Sequence, residues 1–297
     1  MNIFIVRTRL QALIVEKIIS TEDKNKYVLV KCYQNNKHED APEVYSVYKR
    51  IEKNALFSLD ILSCDKISIN ISKYFFIHLL SFITNGKIFL AGIDSYPFAI
   101  SSKIFPFSTI NTFDDGTANF LSYSKYFKET PLNRKGIKGV IANTLFPKGG
   151  AKYLRDRTKC HYTIFSSLNN IVEKGKLVVL EWDWSELLDH RDLKKIPPNT
   201  NVILLGTAFH DLSQMEYLQS KVLKLLCDID LYIMHPRERL WLENIKVNSL
   251  HSPAEAVLKY IADKNEVKLK VYHFNSTAAY SLSNNMNIEF IDLLAGE

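Results

Sequence analysis

Cysteine and long apolar runs are both scarce in this chain, and each scarcity excludes a class of protein. Four cysteines occur in 297 residues. None forms a C-x-x-C pair or lies near a histidine at metal-ligand spacing, which excludes a zinc ribbon and a disulfide scaffold and favours reduced, mostly buried thiols. The most apolar window, residues 74–83, covers about ten residues and is too short to span a bilayer. Residues 1–6 have the pattern of a strand and not of a cleavable signal, so we expect a cytoplasmic protein.

The charge balance is positive and favours anionic partners. The chain has 38 Lys and Arg against 32 Asp and Glu, a formal net charge of +6. Such a surface suits a nucleotide sugar, an acidic glycan or peripheral contact with an anionic inner membrane. A solvated basic surface without a specific partner has the same composition. The cations are dispersed, and no aromatic-basic module or recognition helix stands out, so we predict no nucleic-acid partner.

Alternating strand and helix patterns run through both halves of the chain and predict an α/β protein with parallel sheets. A length of 297 residues suits two domains of about 100–150 residues each. Residues 131–158 are rich in glycine, proline and lysine and are poorly periodic, so we predict the inter-domain crossing there. The predicted domains are residues 1–150 and 151–297, two facing nucleotide-binding-like halves.

Hydrophobic periodicity predicts the individual elements. Strict alternation indicates a strand at residues 66–71, whereas spacing of about 3.6 residues indicates helices at residues 72–84 and 213–226. Further strands are predicted at residues 2–6, 27–33, 87–92, 108–113, 161–165, 176–180, 201–206, 231–234, 268–274 and 288–292.

Three short polar motifs each follow an apolar run with the pattern of a strand. Ligands of open α/β sheets bind at the carboxyl ends of the strands. A carboxylate there can take the proton of an attacking hydroxyl, and a histidine with hydroxyls can hold a phosphate leaving group. The motifs are Asp114-Asp115-Gly116, His235-Pro236 and Ser276-Thr277.

The same motifs, in this order, resemble those of bacterial sialyltransferases. The opening sequence IFIVRTRLQ, residues 3–11, is similar to the start of glycosyltransferase family 52, although Arg9 stands where proline is usual there. The sequences HPRE at residues 235–238 and NSTAA at residues 275–279 fit the same family. The resemblance follows the whole chain in order.

This resemblance implies a fold, an activity and a set of partners. The fold would be the GT-B type, with two Rossmann-like domains facing a central cleft. The activity would be inverting transfer of sialic acid from CMP-sialic acid to a galactose-type hydroxyl of lipooligosaccharide or capsule, without a metal or other cofactor. The resemblance also favours a homodimer.

The resemblance implies roles for the three motifs as well. Asp114, the first acid, would be the general base, and Asp115 would orient the turn or bind sugar. Gly116 would let the turn approach a substrate closely. His235 would donate a hydrogen bond or a proton to the departing phosphate. A polar turn or a structural histidine is the alternative explanation for these residues.

The resemblance also implies roles for the remaining residues on the donor side. Pro236 would fix the strand exit. Ser276 and Thr277 would bind the phosphate, and an ordinary helix N-cap is the compatible alternative. Glu255 would bind the ribose hydroxyls, or simply favour the start of a helix.

Three other sites complete the set of candidates. Gly206 and Thr207 end a firm strand and would let the donor approach closely. Asp211 is the rival general base, or the N-cap of the following helix. The first β-to-α turn, with Arg7, Thr8 and Gln11, would bind acceptor sugar or a carboxylate; otherwise it is a solvated turn.

Three alternative functions stay open at this point. A divalent-metal site of the Asp-x-Asp kind would need a spacing that Asp114 and Asp115 do not show. Another GT-B glycosyltransferase, such as a glucosyltransferase with a UDP-sugar donor, would share the architecture. A non-catalytic nucleotide- or glycan-binding protein would bind the same ligands without turnover.

Overall fold

A computed structural model describes two compact units, Met1–Glu181 and Trp182–Glu297. The described residues are 1–21, 26–33, 42–63, 65–116, 118–129, 140, 143–165, 168–207, 216, 220, 222, 225, 228–235, 247–248, 250 and 252–294. Within these ranges, no helix has both the length and the apolar character that a membrane crossing needs.

The first unit contains a parallel sheet, which the described residues build from seven strands in the order β3-β2-β1-β4-β5-β6-β7. Strand β1 is buried along its whole length, as expected when helices cover both faces of a parallel sheet. The strands are β1 (Asn2–Val6), β2 (Tyr27–Tyr33), β3 (Phe57–Leu62), β4 (Lys87–Leu90), β5 (Thr109–Phe113), β6 (Thr158–Thr163) and β7 (Leu177–Val179). The helices are α1 (Arg9–Thr21), α2 (Pro42–Glu52), α3 (Ile67–Ile83), α4 (Tyr96–Ile104) and α5 (Gly150–Arg157).

The strand predicted at residues 66–71 is wrong, because these residues form the first turns of helix α3. The residues that α3 buries include Asn70, Tyr74 and Ile77, which follow helical spacing. Ile69, one of the alternating isoleucines, is 44% exposed. The local alternation therefore did not correspond to a buried face, and the strand lies earlier, at β3.

The domain boundary predicted at residue 150 is also displaced. Strand β6 pairs with β5, and β7 pairs with β6, so both belong to the first sheet. The predicted crossing at residues 131–158 includes helix α5, which lies in the first unit. The units divide after Glu181 because backbone hydrogen bonds, and not local glycine content, decide sheet membership.

The second unit contains a second parallel sheet, formed by five strands of the described residues in the order β10-β9-β8-β11-β12. These are β8 (Val202–Leu205), β9 (Leu231–Ile233), β10 (Val247–Asn248), β11 (Leu269–His273) and β12 (Ile288–Asp292). Its helices are α6 (His190–Leu193), α7 (Ala254–Lys264) and α8 (Thr277–Ser281), and one 3₁₀ turn covers Trp184–Leu187. Most of the helix predicted at residues 213–226 lies outside the described residues.

Two of the four cysteines lie among the described residues. Cys32 and Cys160 carry free thiols, and each is mostly but not fully buried, which agrees with the prediction of reduced, mostly buried cysteines. Cys64 and Cys227 lie outside the described residues.

We expect a buried histidine to make the stability of the first unit sensitive to acid. His78 is fully buried, and its Nδ1 lies 2.8 Å from Oγ of Ser108. Burial, with a smaller effect of the nearby Arg157 cation, lowers the pKa of His78 to about 3. The unfolded chain takes up this proton below about pH 6.5, so the stability that neutral His78 contributes is lost progressively from there down to about pH 3.

We expect this effect to appear in urea unfolding. Between pH 7 and pH 5 the wild type should lose roughly 2 kcal/mol through His78. His78→Gln, which does not titrate, should lose correspondingly less over the same interval. An equal loss in both proteins would show that His78 does not cause the acid sensitivity.

Candidate active site

A cavity of about 400 Å³ opens beside the carboxyl ends of strands β1 and β4. The chain runs from β1 outward to β2 and β3 and then returns to β4 on the other side of β1. This reversal is a topological switch point, the place where open α/β sheets bind ligands. The volume is that of a small-molecule site. Its polar lining includes Arg7, Gln11, Asn70, Asp94 and Asp115.

Asp115 is the carboxylate of the predicted acidic turn that lines this cavity. Gln11 Nε2 donates to its Oδ1, and the Tyr126 hydroxyl donates to its Oδ2. The Gln11 amide is itself fixed, because the Arg7 backbone N–H donates to Gln11 Oε1 at 2.7 Å. The Asp115 backbone N–H donates to Asn119 Oδ1 at 2.5 Å. The carboxylate is therefore held in one orientation.

The surroundings of Asp115 raise the pKa of its carboxyl group, which suits a role as a general base. Burial raises the pKa of Asp115, and the hydrogen bonds from Tyr126 and Gln11 oppose this rise. Burial also raises the pKa of Tyr126, so the phenol stays a donor. A carboxylate with a raised pKa is a stronger proton acceptor than a solvated one.

Asp114 lies elsewhere, in the core below the turn, and is fully buried. His161 Nε2 lies 3.0 Å from its Oδ1, and the Ile164 N–H donates to Oδ2 at 2.7 Å. His161 Nδ1 lies 2.8 Å from Oγ1 of Thr112. Because Asp114 is fully buried and does not line the cavity, whereas Asp115 does, this placement favours a positioning role over direct contact with a substrate hydroxyl.

Gly116 allows the chain to turn directly after Asp115. Its backbone has φ of 76°, in the left-handed region that glycine enters without steric cost. The chain therefore turns sharply directly after Asp115, as the motif predicted.

In the second unit, the described candidates gather at the carboxyl edge of the sheet. Strand β8 pairs with β9 on one side and with β11 on the other. Leu205 is in register with Ile233, and the Gly206 N–H donates to Ile233 O at 2.8 Å. Thr207 and His235 therefore leave the sheet at the same edge. The chain reverses at β8, so this edge is the second switch point.

Ser276 and Thr277 begin helix α8 after strand β11. Ser276 is its N-cap, and its Oγ accepts from the Ala278 N–H at 3.3 Å. The Ser276 N–H donates to His273 Nδ1 at 3.3 Å. Burial lowers the pKa of His273, which keeps this ring neutral and able to accept. The structure therefore shows the N-cap that was the compatible alternative, and phosphate binding by Ser276 and Thr277 stays a prediction.

Three candidate residues of the second unit remain: Glu255, Asp211 and Pro236. Glu255 is half-buried in the first turn of α7, whose N-cap is Pro253. Asp211 and Pro236 lie outside the described residues. The roles of these three residues stay predictions.

Sequence reasoning missed several residues of the cavity. Tyr126, Asn119 and Asn70 carried no motif, and each reaches the cavity or Asp115 through tertiary structure. Asn70 is 5% exposed, and its Oδ1 has no hydrogen-bond partner among the described residues. The first-turn residues Arg7 and Gln11 were the signal that pointed to this cavity.

The fold is shared with solved structures. A UDP-N-acetylglucosamine 2-epimerase from Rickettsia bellii matches 97% of this chain and 77% of its own, with a TM-score of 0.54 at 14% identity. Another UDP-N-acetylglucosamine 2-epimerase matches 98% of this chain and 83% of its own, with a TM-score of 0.50 at 10% identity. At such low identity the likeness concerns the fold alone, and it confirms the predicted α/β fold of the GT-B type.

Sequence comparison gives the family. A CMP-N-acetylneuraminate:beta-galactoside alpha-2,3-sialyltransferase from Pasteurella multocida is 26% identical over 301 residues, which cover 99% of this chain and 91% of that protein. An N-acetyllactosaminide alpha-2,3-sialyltransferase from Neisseria meningitidis is 26% identical over 205 residues, 68% of this chain and 53% of that protein. The model of glycosyltransferase family 52 matches residues 21–294. Because this match spans most of the chain, the protein belongs to glycosyltransferase family 52.

Proposed function

We propose that this glycosyltransferase moves sialic acid from CMP-sialic acid to a galactose hydroxyl, with inversion and in α-2,3 linkage. The observation that carries the choice of substrates is the likeness to the Pasteurella multocida sialyltransferase, which extends over 99% of this chain. The Neisseria meningitidis relative has the same linkage in its name. The acceptor would be a bacterial surface glycan, either lipooligosaccharide or capsule.

Asp115 serves as the general base in this reaction. The acceptor hydroxyl gives its proton to the Asp115 carboxylate while its oxygen attacks the anomeric carbon of sialic acid. The bond from that carbon to the phosphate oxygen breaks, and CMP leaves with the electron pair. Gln11 and Tyr126 hold the carboxylate for this transfer. Asp114, the base that the family resemblance implied, then positions the turn through His161.

The cavity provides the groups that a sugar needs. Asn70 Oδ1 and the Asp94 carboxylate are acceptors for sugar hydroxyls, and both residues line the cavity. Arg7 adds a cation and Tyr96 an aromatic side chain at the same cavity. A single pyranose fits such a volume, and its hydroxyls would replace the hydrogen bonds that Asn70 lacks.

The second unit would bind the donor. His235 donates a hydrogen bond or proton to the departing phosphate, and the hydroxyls of Ser276 and Thr277 bind its oxygens. Glu255 binds the ribose hydroxyls. Support comes from the convergence of the described strand ends at one edge of this sheet.

Four further residues and three properties belong to the same proposal. Pro236 shapes the exit from β9, and Gly206 and Thr207 admit the donor. If Asp115 is not the general base, Asp211 is the next candidate for that role. No metal is needed, the enzyme acts in the cytoplasm at the inner membrane, and it forms a homodimer.

A donor panel tests the function. Mixed with CMP-sialic acid and a β-galactoside, the purified protein should release CMP and form a sialylated product whose linkage is resolved by NMR, with equal rates in EDTA. Preference for a UDP-sugar would replace the sialyl assignment with a glucosyltransferase. Saturable CMP binding without any product would show that the chain is a nucleotide-binding protein without transferase activity.

A further inference from the structure

The cavity of the first unit follows the carboxyl edge of the sheet across five strands. Arg7 follows β1, Cys32 lies near the end of β2, Ser63 follows β3, Asp94 follows β4 and Asp115 follows β5, and all five residues line the cavity. The order of these strands is β3-β2-β1-β4-β5. Four strand spacings of about 4.8 Å separate β3 from β5, a span of about 19 Å. The cavity is therefore elongated along the edge of the sheet.

Asp115 serves only one end of this elongated cavity. Its Oδ1 accepts from Gln11, and Gln11 Oε1 accepts from the Arg7 backbone N–H at the end of β1. The carboxylate therefore lies between the ends of β1 and β5. Strand β3 is two strand spacings beyond β1, about 10 Å further along the edge. A galactose whose hydroxyl contacts Asp115 leaves the part of the cavity beside β3 to another group.

Asn70 is the polar residue that waits for a partner in this part of the cavity. We define the β3 end by the lining residues Ser63, Asp65, Ile67 and Asn70. Asn70 Nδ2 donates to Leu62 O, the last residue of β3, at 3.0 Å, which fixes the amide. Asn70 is 5% exposed, and within the described ranges its Oδ1 accepts no hydrogen bond. Buried polar groups are normally paired, so an oriented, unpaired acceptor in a cavity indicates a donor on a ligand.

The other polar groups of the β3 end already have partners. Asp65 forms an ion pair with Lys73 at 2.8 Å, and the Ser63 hydroxyl donates to Tyr33 O at 3.0 Å. The ion pair balances its own charge, so this end suits a neutral ligand better than an anion. Because Asn70 Oδ1 can only accept, the matching group on the ligand is a hydroxyl or an acetamido N–H.

We propose that the β3 end is a subsite for the second sugar of the acceptor, the sugar to which the terminal galactose is linked. The pyranose that satisfies Asn70 is thus the second sugar, and the galactose that reacts lies beside Asp115. Asn70 sets the preference for the acceptor and takes no part in the transfer. The inference rests on the proposed function in one respect, since it takes a galactose-terminated glycan as the acceptor.

The test compares two neutral acceptors, methyl β-galactoside and methyl β-lactoside, which differ by the second sugar. With CMP-sialic acid as donor, the wild type should show a kcat/KM at least about tenfold higher for the lactoside. Asn70→Ala should reduce this preference by about five- to tenfold, the usual effect of one hydrogen bond. The ratio of the two kcat/KM values within one protein cancels any general loss of folded enzyme.

A second variant fills the β3 end without touching Asn70. Ile67, the first residue of helix α3, lines the cavity and is partly exposed. Ile67→Trp should remove most of the preference for the lactoside and keep the wild-type melting temperature. The matched control is Ser68→Trp, which adds the same ring one residue later at an exposed position outside the cavity lining. This control should leave both kcat/KM values unchanged.

The outcomes separate this subsite from the proposed function. Equal kcat/KM values for the two acceptors in the wild type would overturn the subsite, as would an undiminished preference in Asn70→Ala and Ile67→Trp. An absence of transfer to either acceptor would contradict the proposed function. Calorimetric titration of the two glycosides without a donor then decides the subsite: tighter binding of the lactoside that Ile67→Trp abolishes supports it, and equal binding refutes it.

Discussion

Replacing Asp115 with asparagine should reduce kcat by about 10²–10⁴-fold, the usual contribution of a general base. Asparagine keeps the shape of the side chain and can still accept from Gln11 or Tyr126, but it cannot take the proton of the acceptor hydroxyl. Donor binding and the melting temperature should stay close to those of the wild type. Stopped assays of CMP release, together with calorimetry of CMP binding, measure both quantities.

Asp114→Asn is the matched comparison, because it makes the same chemical change one residue earlier. An amide at Asp114 would place a donor against His161 or the Ile164 N–H, inside the core. An unsatisfied buried group costs about 1–3 kcal/mol, so this variant should lose thermal stability first. If Asp114→Asn loses turnover at full stability while Asp115→Asn stays active, the base is Asp114. If both stay active, Asp211 becomes the base.

The variant Tyr126→Phe tests the role of Asp115 through the pH dependence of kcat/KM. The Tyr126 hydrogen bond lowers the pKa of Asp115, so removing it should raise that pKa further. A general base works only when deprotonated, and kcat/KM falls as the pH drops through its pKa. The acid limb of the kcat/KM profile should therefore move to higher pH in Tyr126→Phe. If the acid limb of the kcat/KM profile stays at the wild-type pH, Asp115 is not the group that accepts the proton.

Much of the architecture could be predicted from the sequence, because most strands are short apolar runs that end in polar turns. Strand β5 and the Asp114-Asp115-Gly116 turn follow this rule, and so do β9 with His235 and β11 with Ser276. Carboxyl ends of parallel strands share one edge, so the position of each motif followed from its place after a strand.

The role of each aspartate could not be predicted in the same way. Adjacent residues at a strand end point in different directions, and tertiary partners decide which one is buried. His161 holds Asp114 from 47 residues later in the chain, and Gln11 reaches Asp115 from 104 residues earlier. The family resemblance implied Asp114 as the base, whereas these long-range contacts place Asp115 at the cavity.

The two errors in the fold have the same origin. Composition at residues 131–158 indicated a crossing, but the pairing of β6 with β5 decides the unit to which that chain belongs. Alternation at residues 66–71 indicated a strand, but the packing of Asn70 and Tyr74 in a 17-residue helix decides the conformation. In both cases a local sequence pattern competed with tertiary packing, and the packing decided the structure.

The second large effect is expected at His235. His235→Ala should lower kcat by about 10²–10³-fold at saturating acceptor, because the departing phosphate loses a hydrogen bond and a proton donor. His235→Gln keeps a donor but cannot deliver a proton, so its activity separates the two contributions: recovery near the wild type assigns a hydrogen bond, and no recovery assigns proton transfer. His190→Ala, which removes an exposed imidazole of the same unit, should leave the kinetics unchanged. Unaltered turnover in His235→Ala would remove this residue from the donor site and leave Ser276 and Thr277 as the phosphate ligands to test next.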